Sequence, residues 1–232
     1  MDRINWFKEL YKVYDNISQH TKPYEWTSDR LGLQITIHPS VFSPAYFTDS
    51  EWYAEKTQSL ASGKSVLEVG SGTGLVIVHL GRNGASSVAA TDINPAAVAN
   101  TRHNFDKYRL AGKVVEGDIY SGLSESDQYD IIFWNHPFNL EYKPDEVLLR
   151  AAFDHNFDGL STYISESSKH LTSKGRLLLG SANYAHPEVI EKIADKHGYG
   201  IEVLFSEVLP LSFQDDSVDK LELKLYEFRR KQ

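Results

Sequence analysis

The stretch that decides the fold is Val66-Leu67-Glu68-Val69-Gly70-Ser71-Gly72-Thr73-Gly74. It starts as a short, largely apolar run and continues into glycines at alternate positions. Such a run is typical of a buried β-strand, and the glycines predict a tight turn whose backbone approaches a ligand closely. Doubly wound α/β sheets bind nucleotide-like cofactors at a glycine turn of this kind, at the carboxyl end of a parallel strand. We therefore expect a ligand site at this turn.

The spacing of the glycines indicates the kind of cofactor. A dinucleotide-binding turn has the pattern G-x-G-x-x-G, which directs a helix amino terminus at a pyrophosphate. Here the order is Glu68-x-Gly70-x-Gly72-x-Gly74, and a carboxylate ahead of the turn repels a pyrophosphate but suits an ammonium or sulfonium charge. The pattern resembles the signature of class I S-adenosylmethionine (SAM) dependent methyltransferases. A nicotinamide-dinucleotide oxidoreductase and a glycine loop without a ligand remain the alternatives.

Composition narrows the class of protein. At 232 residues, the chain is long enough to bury a full core and we expect one compact unit. It has no cysteine, which excludes disulfides, thiol nucleophiles and cysteine-ligated metals and is compatible with a reducing cytoplasm, where we expect the protein. No apolar run is long enough to cross a bilayer, and the scattered histidines show no metal-binding spacing. A formal net charge of -8 disfavours a partner such as bulk RNA or DNA.

Strand-like and helix-like segments alternate along the chain. They predict a Rossmann-like, mostly parallel seven-stranded sheet with an antiparallel edge strand and helices on both faces. Residues 1–40 read as a helix-and-strand extension, and 41–232 as the methyltransferase domain that the resemblance implies. The last two strands predict a hairpin across an acidic loop containing Asp215, Asp216 and Asp219. The predicted strands are 33–37, 66–69, 87–91, 113–116, 130–134, 176–179, 201–208 and 221–228. The predicted helices are 3–17, 49–61, 75–80, one starting at Pro95 with Asn94 as its N-cap, 163–171 and 187–197.

Two segments carry no motif. The helix over residues 3–17 has an apolar stripe that we expect to pack against the main body, with a substrate-covering or partner-binding helix as the alternative. Residues 139–160 fit no regular element. A loop of this length is often functional, and residues 147–153 are apolar enough to be a short helix or a flap over the site.

The resemblance implies a set of cofactor-binding residues. The glycine turn would pass beneath the methionine part of SAM, with Glu68 near its ammonium group or, alternatively, capping nearby amides. Asp92 follows the next strand and has the spacing of a residue that accepts ribose hydroxyls. Ile93 would flank the adenine, and Asp118 would accept from its amino group unless Asp118 belongs to a plain turn. The full predicted set is Glu68, Gly70, Ser71, Gly72, Gly74, Asp92, Ile93, Asp118, Ile119 and Asn135.

The end of the fourth strand of the sheet points to the methyl acceptor. Asn135-His136-Pro137-Phe138 resembles the N-P-P-[Y/F] motif of methyltransferases that modify planar nitrogens. Such a nitrogen is a poor nucleophile because its lone pair is delocalised. A site orients the lone pair by accepting both N–H protons, one on the Asn135 side-chain oxygen and one on the His136 carbonyl, while Phe138 stacks on the planar group.

We accordingly predict Asn135, His136 and Phe138 as catalytic, and Asn135, Pro137 and Phe138 as substrate-binding. His136 stands where this motif usually has proline, so its ring could also reach the substrate as an acceptor or proton relay. A strand-end turn with Phe138 in the core is the structural alternative.

Within that class, the chain is most similar to the HemK-like (HemK/PrmC) branch of release-factor glutamine methyltransferases. The similarity includes Thr91-Asp92-Ile93-Asn94-Pro95 and extends over about residues 38–228. Val41-Phe42-Ser43-Pro44 with Thr48-Asp49 also resembles the segment that those enzymes place before the catalytic domain and over the cofactor. It implies SAM as the cofactor and a protein glutamine amide as the first candidate acceptor. About forty residues precede Val41, fewer than the helical domain that bacterial members use to grip the release factor. A small molecule is therefore the second candidate, and a nucleobase the third.

Overall fold

The structure is a computed structural model that describes residues 3–210 and 220–231, with side chains from residue 6 onward. The predicted acidic loop around Asp215, Asp216 and Asp219 lies outside the described residues. The helices are α1 Arg3–Gln19, α2 Asp49–Ala61, α3 Leu75–Arg82, α4 Pro95–Lys107, α5 Asp158–Glu166 and α6 Pro187–Lys196. The strands are β1 Tyr24–Ser28, β2 Leu33–Ile37, β3 Ser65–Val69, β4 Ser87–Asp92, β5 Gly112–Glu116, β6 Tyr129–Asn135, β7 Leu171–Ala182, β8 Tyr199–Pro210 and β9 Lys220–Arg230.

Seven strands form one sheet in the order β5-β4-β3-β6-β7-β9-β8. The first five are parallel, and β9 runs antiparallel to both β7 and β8. This confirms the predicted fold class and the antiparallel pairing at one edge. The strand order reverses between β3 and β6, since the chain moves outward through β4 and β5 before it returns. Ligands of open α/β sheets bind in the crevice at such a switch point, beyond the carboxyl ends of the strands.

The core strands are apolar because helices cover both faces of the sheet. Val66, Leu67, Ile132 and Phe133 have no measurable exposed surface. Asn94 caps α4 by accepting a hydrogen bond from the Ala96 amide (3.0 Å), with proline at the first helical position, as predicted from the sequence. None of the described helices is long and apolar enough to span a membrane.

Two predicted elements differ in the structure. The helix predicted at 163–171 begins five residues earlier, at Asp158, and β7 has already begun at Leu171. The residue that caps this helix, Asp154, lies before the helix and not next to its first turn. Its carboxylate accepts hydrogen bonds from the amides of Gly159 and Leu160 (both 2.9 Å). The sequence analysis also missed β1, which pairs with β2 in a separate two-stranded antiparallel sheet.

Buried asparagines of α4 attach this small sheet to the main body. Asn104 accepts a hydrogen bond from the Thr36 amide (2.9 Å), and Asn100 donates one to the Thr36 carbonyl (2.7 Å). Both asparagines are completely buried, so these bonds satisfy strand groups that would otherwise be costly to desolvate. The extension is thereby fixed against the helix that follows Asp92.

Candidate active site

One cavity of about 190 Å³ lies beyond the carboxyl ends of β3, β4 and β6. The glycine turn and Asp92 form one side of it, and the residues after β6 form the other. Leu10 and Trp6 of α1 and residues 147–154 also border the cavity. All but one of the predicted cofactor- and substrate-binding residues lie on its wall: Glu68, Gly70, Ser71, Gly72, Asp92, Ile93, Asp118, Ile119, Asn135, His136, Pro137 and Phe138. Gly74 does not border the cavity, although its neighbours Thr73 and Leu75 do.

The glycine turn needs glycine for two reasons. Gly70, Gly72 and Gly74 have φ values of +63°, +55° and +80°, in the left-handed region that disfavours other residues. A Cβ on Gly70 would also lie 2.8 Å from Nε1 of Trp134, whose indole packs against the turn. At Gly72 no atom lies within 4 Å of the equivalent position, so a ligand can approach the backbone there closely.

Glu68 joins the central strand to the helix after the turn. Its Oε2 accepts a hydrogen bond from the amide of Ile77 (3.0 Å), near the amino end of α3. Glu68 therefore caps a helix amide, which was the alternative role considered for it. Its contact with the ammonium group of SAM remains a prediction. Burial raises the pKa of Glu68 well above its usual range, and the charge of Asp92 raises it further. The carboxylate occupies part of the helix terminus that a dinucleotide fold offers to its pyrophosphate.

Asp92 is 8% exposed and braces the turn from the next strand. Its Oδ2 accepts from the Gly72 amide and its Oδ1 from the Asn94 amide, both at 2.8 Å. Each carboxylate oxygen keeps further acceptor capacity, which a pair of ribose hydroxyls can use. Burial raises the pKa of Asp92, and the bonds from the backbone amides oppose that rise.

The predicted adenine-binding residues differ in their surroundings. Ile119 is buried with φ +53°, and its carbonyl accepts from the Thr91 hydroxyl (2.8 Å). Asp118 is half exposed and pairs with Arg150 (3.0 Å), whose side chain comes from the segment after β6. The arginine connects the donor side of the cavity to that segment, a link that the sequence did not predict.

Asn135 ends β6 with an oriented side chain. Its Nδ2 donates to Oδ2 of Asp49 (2.8 Å), at the start of α2. Its Oδ1 is buried and has no hydrogen-bond partner among the described residues. A buried, unsatisfied amide oxygen is costly unless a ligand or water completes it. The free acceptor therefore lies where the N-P-P-[Y/F] resemblance requires one.

The ring of His136 is 2% exposed and packs among aromatic rings, edge-on to Phe157 at 5.2 Å and to Phe138 at 5.7 Å. Its Nε2 is 3.1 Å from the hydroxyl of Ser181. Burial lowers the pKa of His136 to about 3, so the ring is neutral near pH 7. A charged proton relay is incompatible with that value. The His136 backbone carbonyl is predicted to accept a hydrogen bond from the substrate, and that role does not depend on the charge of the ring.

The sequence analysis interpreted residues 147–153 as a short helix or a flap over the site, and the structure forms a 3₁₀ helix at Val147–Ala151 that borders the cavity. We name residues 139–153 the capping segment, since Asn139 and Phe153 at its ends both border the cavity. Nε1 of Trp6 donates to Oδ1 of Asn139 (2.7 Å), and Phe7 packs on Phe153 with ring centroids 5.7 Å apart. The α1 stripe therefore packs on the body as predicted and covers the site as well. The helical spacing of the apolar residues predicted which face of α1 is buried, but nothing in the sequence indicated that this face packs on the capping segment.

The charges on the wall identify a compatible cofactor. Within the described part of the chain, the cavity is lined by a single arginine, the Asp118-paired Arg150, and five carboxylates: Asp49, Glu68, Asp92, Asp118 and Asp154. A pyrophosphate would face five carboxyl groups and one arginine that is already paired, whereas an ammonium group can donate hydrogen bonds to the carboxyl oxygens. The residues present thus fit SAM better than a nicotinamide dinucleotide.

The model of the methyltransferase small domain matches residues 32–197, well over half of the chain. The chain belongs to that family. The predicted class of enzyme, a SAM-dependent methyltransferase, is confirmed by this match.

Individual relatives divide between two kinds of acceptor. A Methanocaldococcus jannaschii protein named provisionally as a protein N5-glutamine methyltransferase is 29% identical, and the match covers 79% of this chain and 92% of that protein. A release factor glutamine methyltransferase of Streptococcus pneumoniae is 25% identical over 80% of this chain and 70% of its own length. Ribosomal RNA small subunit methyltransferase C of Chromohalobacter salexigens is 35% identical, over 55% of this chain and 40% of that protein. The methyltransferase chain thus spans less than half of that last relative.

A solved structure shares the fold of this methyltransferase. The Thermus thermophilus 16S rRNA N2 G1207 methyltransferase, in complex with AdoMet and guanosine, has a TM-score of 0.63 and 20% identity. The match covers 90% of this chain and 50% of that one. At this identity the comparison supports the fold assignment alone.

Proposed function

We propose that this methyltransferase transfers the methyl group of SAM to a planar amide or amino nitrogen, with a protein glutamine side chain as the first acceptor to test. The observation that carries the proposal is the buried Oδ1 of Asn135, which lies on the cavity wall without a partner. An acceptor of hydrogen bonds in that position suits a nitrogen that bears protons. The match over 92% of a protein named for N5-glutamine methylation supports glutamine as the first choice.

The chain's own residues would bind and orient the two reactants. Glu68 and Asp92 would hold the ammonium and ribose groups of SAM, with Asp118, Ile93 and Ile119 around the adenine. When bound, SAM supplies a methyl group whose carbon–sulfur bond breaks toward sulfur as the acceptor nitrogen forms the new carbon–nitrogen bond. The side-chain oxygen of Asn135 and the carbonyl of His136 would accept hydrogen bonds from the two N–H groups of the acceptor nitrogen. The lone pair of that nitrogen would then point at the methyl carbon. The nitrogen then releases one proton to solvent.

Positioning would supply most of the rate enhancement. Holding both reactants in line removes much of the entropic barrier, and fixed acceptors stabilise the charge that develops on the nitrogen. No strong general base is required because the donor is already activated. This agrees with the environment of His136, which burial keeps neutral.

The test is methyl transfer from tritiated SAM to a panel of acceptors. The panel contains a glutamine-containing peptide, small planar amides and amines, and a guanine-containing RNA hairpin, each analysed for a gain of one methyl mass by mass spectrometry. Transfer to the peptide amide is expected, and product on an oxygen or carbon atom would contradict the proposal.

A nucleobase amino group is the second candidate, supported by the similarity to ribosomal RNA methyltransferases. The net charge of -8 opposes attraction to a polyanion. Selective transfer to the hairpin at low salt would favour this candidate over glutamine.

A further inference from the structure

A carboxylate to which the sequence analysis assigned no role of its own lies beside Asn135. Asp49 is the first residue of α2, eighty-six positions before Asn135 in the chain, and its Oδ2 accepts the Nδ2–H bond of that asparagine at 2.8 Å. An ionised carboxylate can only accept hydrogen bonds. The contact therefore fixes the orientation of the Asn135 side-chain amide, with its nitrogen toward Asp49 and its oxygen away from Asp49.

Asp49 is held in place by groups of its own helix. Besides Asn135, the hydroxyl of Ser50 and the backbone amides of Asp49 and Ser50 bond to its carboxylate. These amides are at the amino end of α2, where the helix dipole favours a negative charge. Burial raises the pKa of Asp49, and these hydrogen bonds oppose the rise.

We propose that Asp49 is a positioning residue for methyl transfer, which holds the Asn135 amide so that its oxygen, rather than its nitrogen, faces the acceptor. The inference rests on the proposed function, because it concerns an acceptor that bears N–H protons. If the Asn135 amide were flipped, its Nδ2 donor would face the N–H donors of the methyl acceptor. The acceptor's lone pair would then no longer be directed at the methyl group.

The geometry separates this role from simple packing. Glu51 is a buried carboxylate in the same turn of α2, 3% exposed, and bonds to Ser28. It does not border the cavity, whereas Asp49 does. Glu51→Gln is therefore a matched control for the loss of a buried charge in this helix turn.

The first measurement needs no acceptor. In ¹⁵N–¹H spectra of the labelled full-length protein, the side-chain amide signal of Asn135 is assigned by its absence in Asn135→Asp. Asp49→Ala is expected to move that signal upfield in the proton dimension, since the bond to a carboxylate is lost, while Glu51→Gln leaves it in place. An unchanged signal in a folded Asp49→Ala protein would overturn the positioning role.

The second measurement separates kcat from KM in transfer to the glutamine-containing peptide. Asp49→Asn is expected to lower kcat about 10- to 100-fold, the effect of losing one charge-assisted hydrogen bond. Binding of S-adenosylhomocysteine stays within twofold, Asp49→Glu recovers part of kcat, and Glu51→Gln is unaffected. In an Asn135→Ala background, Asp49→Ala causes no further loss, because its effect passes through Asn135.

The two measurements fail in different ways. If the wild-type protein transfers no methyl group to any planar nitrogen, the proposed function is wrong, yet the amide spectrum still decides whether Asp49 orients Asn135. If Asp49→Asn and Glu51→Gln lower kcat and S-adenosylhomocysteine binding equally, both act through stability and the inference is wrong. Additive losses in the double variant would contradict it as well.

Discussion

The proposed donor and acceptor halves of the cavity are built over very different distances along the chain. In the donor half, Glu68 bonds to an amide nine residues away and Gly72 to a carboxylate twenty residues away. In the acceptor half, Asn135 bonds to a residue eighty-six positions distant, and Trp6 to one 133 positions distant. A short motif can encode the first kind of site. The second kind exists only after the sheet has brought α1, α2 and β6 together.

The contrast predicts that the halves can be disabled separately. Glu68 and Asp92 make their hydrogen bonds with backbone amides of the glycine turn and of the helix starts, and these bonds involve neither Asn135 nor Asp49. The acceptor half contributes oriented hydrogen-bond acceptors and an aromatic cover. Variants of one half should therefore change donor affinity, and variants of the other should change turnover or acceptor affinity.

The largest effect is expected from Asn135→Ala. Removing one preorganised group that acts on the reacting centre costs about 100- to 1,000-fold in kcat. Isothermal titration should show nearly unchanged binding of S-adenosylhomocysteine, because the variant leaves the glycine turn and Asp92 intact. Equal loss of donor binding and turnover would break the separation of the two halves.

His136 gives a pH-dependent prediction for the acceptor half. Its folded-state pKa of about 3 lies below the unfolded value of about 6.5, so between these values the unfolded chain binds more protons. Stability conferred by the neutral ring is therefore complete above pH 6.5 and falls as the pH decreases.

Between pH 6 and pH 4, the wild type should lose about 2.5 kcal/mol of unfolding free energy relative to His136→Gln. Urea unfolding of both proteins across this range measures the difference, with His20→Gln on the surface as the control. Parallel pH curves for wild type and His136→Gln would show that the ring is not buried in a neutral form.

The same difference in distance explains what the sequence could predict. The positions of the sheet strands and the residues of the glycine turn followed from local hydrophobicity and glycine spacing, and Asn94 from capping chemistry. The start of α5 was misplaced because its cap, Asp154, lies outside the helix and two short 3₁₀ turns precede it. Thr48-Asp49 belongs to a family-like segment, but the contact of Asp49 with Asn135 could not be predicted. Trp6 carries no local signal, since it is one aromatic residue of an amphipathic helix.

In the donor half, Asp92→Ala should weaken S-adenosylhomocysteine binding by about 10- to 100-fold, since a charge-assisted hydrogen bond contributes about 1.5–3 kcal/mol. Asp118→Ala should weaken it less, because its half-exposed carboxylate is screened by solvent and shared with Arg150. Calorimetric titration of the two variants ranks them. A larger effect at Asp118 would show that contacts on the adenine side contribute more to the affinity for the donor than contacts with the ribose.

The smallest effect concerns the α1 cover. Trp6→Phe keeps an aromatic ring beside Tyr184 and Phe47 but removes the indole N–H that bonds to Asn139. Loss of that bond should cost about 1 kcal/mol of stability, seen in urea unfolding. If α1 forms part of the acceptor wall, the KM for the acceptor rises several-fold while binding of S-adenosylhomocysteine is unaltered. Lys12→Ala, on the exposed side of the same helix, controls for general effects on α1. An unchanged KM in Trp6→Phe, together with the loss of stability, would make α1 a structural cover only and would place the boundary of the acceptor half at the capping segment.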